Sequence, residues 1–404
     1  MGIKNLNKFI NDCCPDANLE IPFSHFRGSR IAIDASNWMF RSWSTAYKEV
    51  VNSTDVSTCE PDKRRIFQVW TRHLKLFIRK FLSYGITPVF VIDGIHPEEK
   101  IITKQKRKDD KQKVSDKIQE LKDKINSIDI LARTPSMIKE LQKLMCQKTV
   151  IGSDELETLA NILNGIGIPF LNATSEAEQL CSMLAVDKKV DAVFSTDTDN
   201  LVYGCRLLLT GFIPRKLNPL TNMIEDYFTA VSLDNILASS QLSYNTFVDL
   251  CIMSGCDYNT NIPRVGVKKT YKLLLEYGSI DNLPSRYDIS CLNHLRCREL
   301  FSYQASDELC THPLILDITN KLVECGRDIL EQYNLDDWIT ELATLFKQFT
   351  SSSSSTCRLE KPLQMAKLII KDSPPESPVK SSTAYALAMK QLQSLDLTTL
   401  KIKN

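Results

Sequence analysis

The sequence predicts an α/β fold with a mostly parallel central sheet flanked by helices. Three observations carry this. Residues 30–260 alternate short β-branched runs with longer amphipathic stretches, the pattern of strands separated by crossover helices. Acidic residues recur just after the apolar runs, where the carboxyl ends of parallel strands line a common crevice. Residues 243–345 then read as helical, without strand signals.

The candidate strands are 30–33, 88–92, 168–171, 192–195 and 206–210. Among the stretches between them, Phe67 to Leu82 places Phe67, Trp70, Leu74, Phe77, Ile78 and Phe81 on one helical face. Residues 98–150 interrupt the alternation with a long polar helical pattern. From Lys100 to Lys124 it carries ten Lys or Arg against five Asp or Glu. Lys100, Lys104, Arg107 and Lys111 fall at i, i+4, i+7 and i+11, one face of a helix. Ser351 to Ser355 reads as a linker, followed by a Ser-Pro segment from Ser373 to Lys380 and a short helical stretch near Ala384 to Leu395. The domain reading is 1–97 and 151–242 as two parts of one α/β core, 98–150 as a basic helical insertion, 243–345 as a helical part, and 346–404 as linker and tail.

The acids define the candidate site. Asp34 closes Ile31-Ala32-Ile33, and Asp93 closes Val89-Phe90-Val91-Ile92. Glu176 and Glu178 follow Ile168 to Leu171 after a short loop, Asp197 and Asp199 follow Ala192-Val193-Phe194, and Asp257 follows the apolar helical stretch Phe247 to Met253. Singly, several have plain structural uses. Asp34 can be an N-cap, Asp93-Gly94 a turn, and Ser175-Glu176-Ala177-Glu178 a capping box with Ser175 as N-cap. Thr196-Asp197-Thr198-Asp199 is poor turn chemistry and a good metal scaffold. Seven carboxylates in one crevice raise one another's pKa and require cations. Oxygen-only ligands point to Mg²⁺, with Mn²⁺ as a substitute. The basic face begins seven residues after Asp93, so cations would flank the acids, an arrangement suited to a phosphodiester. A second phosphate-binding signal is Arg264-Val265-Gly266-Val267-Lys268-Lys269, a tight turn leading into an apolar helix.

Composition narrows the setting. The chain has 404 residues, 43% hydrophobic and 25% charged, with formal net charge +1, so only the local distribution of charge speaks about partners. No signal peptide or membrane span is expected. Leu6 stands where an N-myristoylation signal needs Ser or Thr. The 13 cysteines are odd in number and scattered, which fits free thiols in a reducing intracellular compartment. Cys291, His294 and Cys297, with Cys310 and His312 nearby, are zinc-ligand types, but their spacing matches no C-x-x-C ribbon, so packed helical thiols are expected.

In combination and order these motifs resemble the flap endonuclease and xeroderma-pigmentosum-group-G type of structure-specific 5′ nucleases. The resemblance runs from Met1 to about residue 280. It rests on Met1-Gly2-Ile3, Asp34-Ala35-Ser36, Phe90-Val91-Ile92-Asp93-Gly94, Ser175-Glu176-Ala177-Glu178-Gln179, Thr196-Asp197-Thr198-Asp199 and Gly255-Cys256-Asp257-Tyr258. It implies a PIN-like 5′-nuclease core, a helical arch and a helix–two-turn–helix element that grips duplex DNA. It further implies that Asp34, Asp93, Glu176 and Glu178 hold one Mg²⁺ and Asp197, Asp199 and Asp257 the other. Lys100 and Arg107 would contact the scissile phosphate, with Lys104 and Lys111 along the same DNA-binding face. Gly2 would lie near the active site, and Arg264, Gly266, Lys268 and Lys269 would meet the duplex.

The implied activity is two-metal hydrolysis of a 5′ flap or another single-to-double-strand junction, by a monomer acting in replication, repair or recombination. A 5′ exonuclease, a four-way-junction resolvase and a non-catalytic nucleic-acid-binding scaffold are the alternatives. The location would be nuclear in a eukaryotic cell and cytoplasmic for a virus. Three departures stand out. Arg264 replaces the first glycine of a Gly-Ile-Gly turn. Phe40 replaces a base-stacking tyrosine. The tail has no sliding-clamp motif, so a clamp contact is not expected.

Overall fold

β-Branched runs without polar interruptions form the centre of a seven-stranded sheet. Its strands are β1 (Asn18–Pro22), β2 (Arg30–Asp34), β3 (Thr87–Ile92), β4 (Phe170–Asn172), β5 (Ala192–Phe194), β6 (Leu207–Leu217) and β7 (Ile224–Ser232). Their order is β1-β7-β6-β5-β2-β3-β4. The run β6-β5-β2-β3-β4 is parallel, whereas β7 pairs antiparallel with both β6 and β1. All five expected strands form. β4 begins after Pro169, whose missing N–H keeps it out of the ladder, although its carbonyl still accepts from Phe90. This computed structural model describes residues 2–129, 132–148, 151–219 and 221–302, with Tyr333, Leu335, Trp338, Glu341 and Thr344. The serine linker, the Ser-Pro tail, Cys310 and His312 lie outside the described residues.

The period of two along each strand divides the interior into two cores. Ala32, Val89, Val91 and Val193 face one, Ile31, Ile33, Phe90 and Phe194 the other. The second core is covered by α2 (Ala35–Asn52) and α3 (Lys63–Ser83). The expected face of α3 is buried at Trp70, Leu74, Phe77, Ile78 and Phe81, with Phe67 half-buried. The first core is covered by α1 (Leu6–Cys13), α7 (Ala177–Val186), α9 (Leu233–Ser240) and α10 (Tyr244–Ser254), with the one-turn helix α8 (Asp199–Val202) beside them. The helix α6 (Ser153–Gly165) precedes β4.

The polar segment folds as α4 (Ile101–Asn126) and α5 (Pro135–Gln147). These two helices share a small separate core of Ile118, Ile125, Leu141 and Met145 with Val51 and Val56 at the end of α2. The rest of α4 is largely solvated, as its composition requires. Beyond α10 come α11 (Val267–Tyr277) and α12 (His294–Phe301), joined by turns and short 3₁₀ segments. The helical reading of 243–345 therefore holds over 243–302 without being continuous, most of 303–345 lying outside the described residues, and no strand forms there among the described residues. Among them, too, no helix is long and apolar enough to cross a membrane.

Candidate active site

The carboxyl ends of β2, β3 and β5 and the starts of α7 and α8 bring the predicted acids to one edge of the sheet. Asp34, Glu176, Glu178, Asp197 and Asp199 are buried, Asp93 and Asp257 half-buried. Asp34 is the N-cap of α2 as well as one of the gathered acids. Its Oδ1 accepts the Asn37 N–H at 3.0 Å, and its Oδ2 accepts from Ser195 Oγ at 2.9 Å. The N–H of Asp199 donates to Asp197 Oδ1 at 3.2 Å, and the N–H of Asp197 to Ser195 Oγ at 3.0 Å. Asp199 Oδ1 is buried without a hydrogen-bond partner.

The expected capping box at Ser175 does not form. The helix α7 starts at Ala177 with Glu176 as N-cap, and the Ala177 N–H is taken by Asp93 Oδ1 at 2.7 Å. A carboxylate from the neighbouring strand end does the capping, which frees Glu178 for another partner.

That partner is Lys100. Its buried ammonium pairs with Glu176 Oε1, lies 3.5 Å from Glu178 Oε1 and 3.7 Å from Asp257 Oδ2. One Arg107 terminal nitrogen donates to both oxygens of Asp257, at 3.0 and 2.8 Å. The two expected phosphate-binding cations thus stand directly among the acids. Glu176 has two further partners that sequence reasoning missed. His96 Nδ1 is 3.1 Å from its Oε1, and the Tyr258 hydroxyl donates to its Oε2. Tyr203 OH lies 2.8 Å from Tyr258 OH. Tyr258 adjoins Asp257 in the sequence, which was its only signal; Tyr203 gave none.

The electrostatics split the acids. Burial, then repulsion from Asp93, pushes Asp34 up to about 7. Burial is also the main reason that Glu178, Asp197 and Asp199 lie above the ordinary carboxylate range. Burial acts on Glu176 in the same sense, but His96 and Lys100 outweigh it and hold this carboxyl at about 2. Burial opposes the Lys100 ammonium, yet Glu178 and Glu176 raise its pKa. Buried, oxygen-only ligands and the orphan Asp199 Oδ1 suit a hard divalent cation. Among the described residues no three His, Cys, Asp or Glu are gathered as a ready cage. The same holds for Cys291, His294 and Cys297, since His294 instead meets Asp281 at 3.0 Å.

The remaining predicted residues have varied surroundings. Gly2, at φ +92°, packs so tightly on Asp197 and Thr198 Oγ1 that a Cβ would overlap both. Lys104, Arg107, Lys108 and Lys111 of α4, with Lys148, line an open cavity of about 500 Å³. Phe40, on α2, is solvent-exposed. Arg264 adopts φ +60°, the left-handed conformation that a glycine takes freely. Gly266 is the N-cap of α11, with open space where a side chain would stand. Lys268 is paired with Asp12 at 2.8 Å, while Lys269 lies over the Tyr287 ring at 5.5 Å.

Comparison with known proteins matches the XPG N-terminal domain over residues 1–114 and the XPG I-region over residues 167–257. A probable RAD2-like endonuclease, 369L, of Invertebrate iridescent virus 6 is 30% identical over 339 residues, covering 75% of this chain and 80% of that one. Flap endonuclease 1 of Enterocytozoon bieneusi (strain H348) is 33% identical over 288 residues, covering 70% and 72%. Among solved structures, flap endonuclease-1 from Methanococcus jannaschii superposes with a TM-score of 0.52 at 21% identity, covering 85% of this chain and 99% of that chain. Human GEN1 in complex with Holliday junction DNA gives 0.53 at 15% identity, covering 88% and 81%. At these identities the structural matches speak for the fold.

Proposed function

The chain belongs to the XPG/Rad2 family of nucleases, and from that premise we propose that it is a structure-specific 5′ flap endonuclease, acting in DNA replication, repair or recombination. The observation that carries the proposal is the junction of two opposite surfaces. A crevice of seven carboxylates meets the basic face of α4, with Lys100 and Arg107 at the seam. A phosphodiester is the group that both surfaces accept together: divalent cations on the acids and ammonium groups on the flanking phosphates.

Asp34, Asp93, Glu176 and Glu178 would hold one Mg²⁺ or Mn²⁺, and Asp197, Asp199 and Asp257 the second. When bound, such ions lower the pKa of water and neutralise charge on a reacting phosphate. The chain's own groups have separate tasks. Lys100 and Arg107 leave the carboxylates for the scissile phosphate and stabilise charge on its equatorial oxygens. Tyr258 and His96 orient Glu176. Phe40 offers an exposed ring for a base to stack on. Arg264, Lys269 and the open N-terminus of α11 at Gly266 would hold duplex phosphates. The groove lined by Lys104, Lys108, Lys111 and Lys148 would take a single strand leading from the site. The α4–α5 hairpin favours a free 5′ end over an intact four-way junction.

The test is a panel of 5′-flap, nicked, blunt, bubble and four-way substrates with Mg²⁺, run beside Asp197→Ala. The variant is expected to bind the flap and not cleave it. Undiminished flap cleavage by Asp197→Ala, or by the wild-type chain in a chelator, would overturn the reading.

A further inference from the structure

The 3₁₀ turn Glu98–Lys100 and the start of α4 that follows it are fastened on one side. Glu99, Thr103 and Arg107, at spacings of four, all reach the C-terminal helical part. Arg296 Nε donates to Glu99 Oε1 at 2.7 Å, Thr103 Oγ1 donates to the Asp257 carbonyl at 2.9 Å, and Arg107 pairs with the Asp257 carboxylate. Lys100 follows Glu99 directly, so whatever fixes Glu99 fixes where the Lys100 stem begins.

The helix at the other end of that first fastening is held by buried partners. Arg298, two residues beyond Arg296 on α12, donates at 2.8 and 2.7 Å to Asp249, which is 2% exposed, and pairs with Asp281 at 2.8 Å. Phe301 packs against Tyr203 and Tyr258, with ring centroids at 5.2 and 5.4 Å; the Tyr258 hydroxyl reaches Glu176, and Tyr203 reaches the Tyr258 hydroxyl. Arg296 is itself steadied by Glu299 one turn on, at 3.1 Å. An ion pair with one partner already immobile loses less side-chain entropy on forming.

We propose that Arg296 is a positioning residue: its ion pair with Glu99 sets the 3₁₀ turn that leads into α4 on α12 and so places Lys100 and Arg107 against the carboxylate crevice. The inference rests on the proposed hydrolysis only for its kinetic consequence; the fastening is a property of the fold. Arg296 lies outside the crevice and touches none of the seven acids. Its side chain is half-exposed, so its effect is that of alignment and is modest in size.

The experiment compares wild type, Arg296→Glu, Glu99→Arg and the double charge reversal on a 5′-flap DNA, by single-turnover cleavage at saturating enzyme and by hydrogen exchange of residues 100–108. Arg296→Glu is expected to slow the saturated step by about threefold to fivefold, the effect of an exposed pair worth ~1 kcal/mol. It should leave the half-saturating enzyme concentration within about twofold and speed exchange at the start of α4. The double reversal should restore both rate and protection. Failure of the reversal to restore either, or a loss confined to affinity, overturns the inference. If wild type cleaves no flap, the functional reading falls instead, and the exchange pattern still decides the fastening.

Discussion

Asp93 Oδ1 accepts the N–H of Ala177 at 2.7 Å, so the carboxylate that ends β3 also caps α7, 84 residues further along the chain. This gives one acid two separable duties. Asp93→Ala should lose about 1 kcal/mol of stability through the lost cap, together with cleavage. Asp93→Asn keeps an acceptor oxygen, so it should retain most of the stability while still losing cleavage. Urea unfolding and flap cleavage on the two variants separate the duties. Equal destabilisation by both would remove the capping role.

The same bond marks how far the sequence could be read. Each acid was visible because an apolar run precedes it: four of the five expected strands for six of the acids, and α10 for Asp257. Which group each acid touches was not visible. Ser175 and Glu178 satisfy the capping-box spacing, but Asp93 reaches the helix end first across the sheet. Tyr258 and Glu176 are 82 positions apart, and no local pattern joins them. β1 escaped notice because Asn18, Glu20 and Pro22 interrupt its apolar residues, and β7 because Glu225 and Asp226 blur its opening alternation. Arg264 was legible as a departure from a glycine turn, and the structure puts it at a positive φ.

Lys100 and Arg107 occupy equivalent roles on paper and unequal surroundings in the fold. Lys100 is 7% exposed between two carboxylates, whereas the Arg107 side chain is 40% exposed. Lys100→Ala leaves buried charges unpaired and should cost about 3–5 kcal/mol in buffer without divalent cations. Arg107→Ala should cost under ~1 kcal/mol. Each should slow single-turnover cleavage by about 100-fold or more, as loss of a charge-stabilising group does. Equal stability losses in urea titrations would show that Lys100 is not held as a buried pair.

Arg264 stands at φ +60°, which costs a non-glycine residue about 1 kcal/mol. Glycine relieves that strain but gains freedom in the unfolded chain, so Arg264→Gly should be near neutral, between zero and about 1 kcal/mol more stable. Its DNA affinity should fall, and the slope of log affinity against log salt should lose about one unit if the guanidinium meets a phosphate. Fluorescence anisotropy over a KCl series measures this. An unchanged slope would confine Arg264 to the turn itself.

Asp281 ties α12 to the turn after α11, through Arg298 at 2.8 Å and His294 at 3.0 Å. The Arg298 hydrogen bond is the main reason that its carboxyl lies below the ordinary value of 3.8. A lowered folded pKa means that the unfolded chain takes up the proton first. The contribution of Asp281 is therefore complete above 3.8 and fades as the pH falls below that value through the lower folded one. Asp281→Asn should melt below wild type at pH 6, and the gap should close as both are taken into the acid range below 3.8. Melting curves from pH 6 downward test this. A gap that persists undiminished would mean that the aspartate serves α12 by shape and hydrogen bonding alone, with no ionic share.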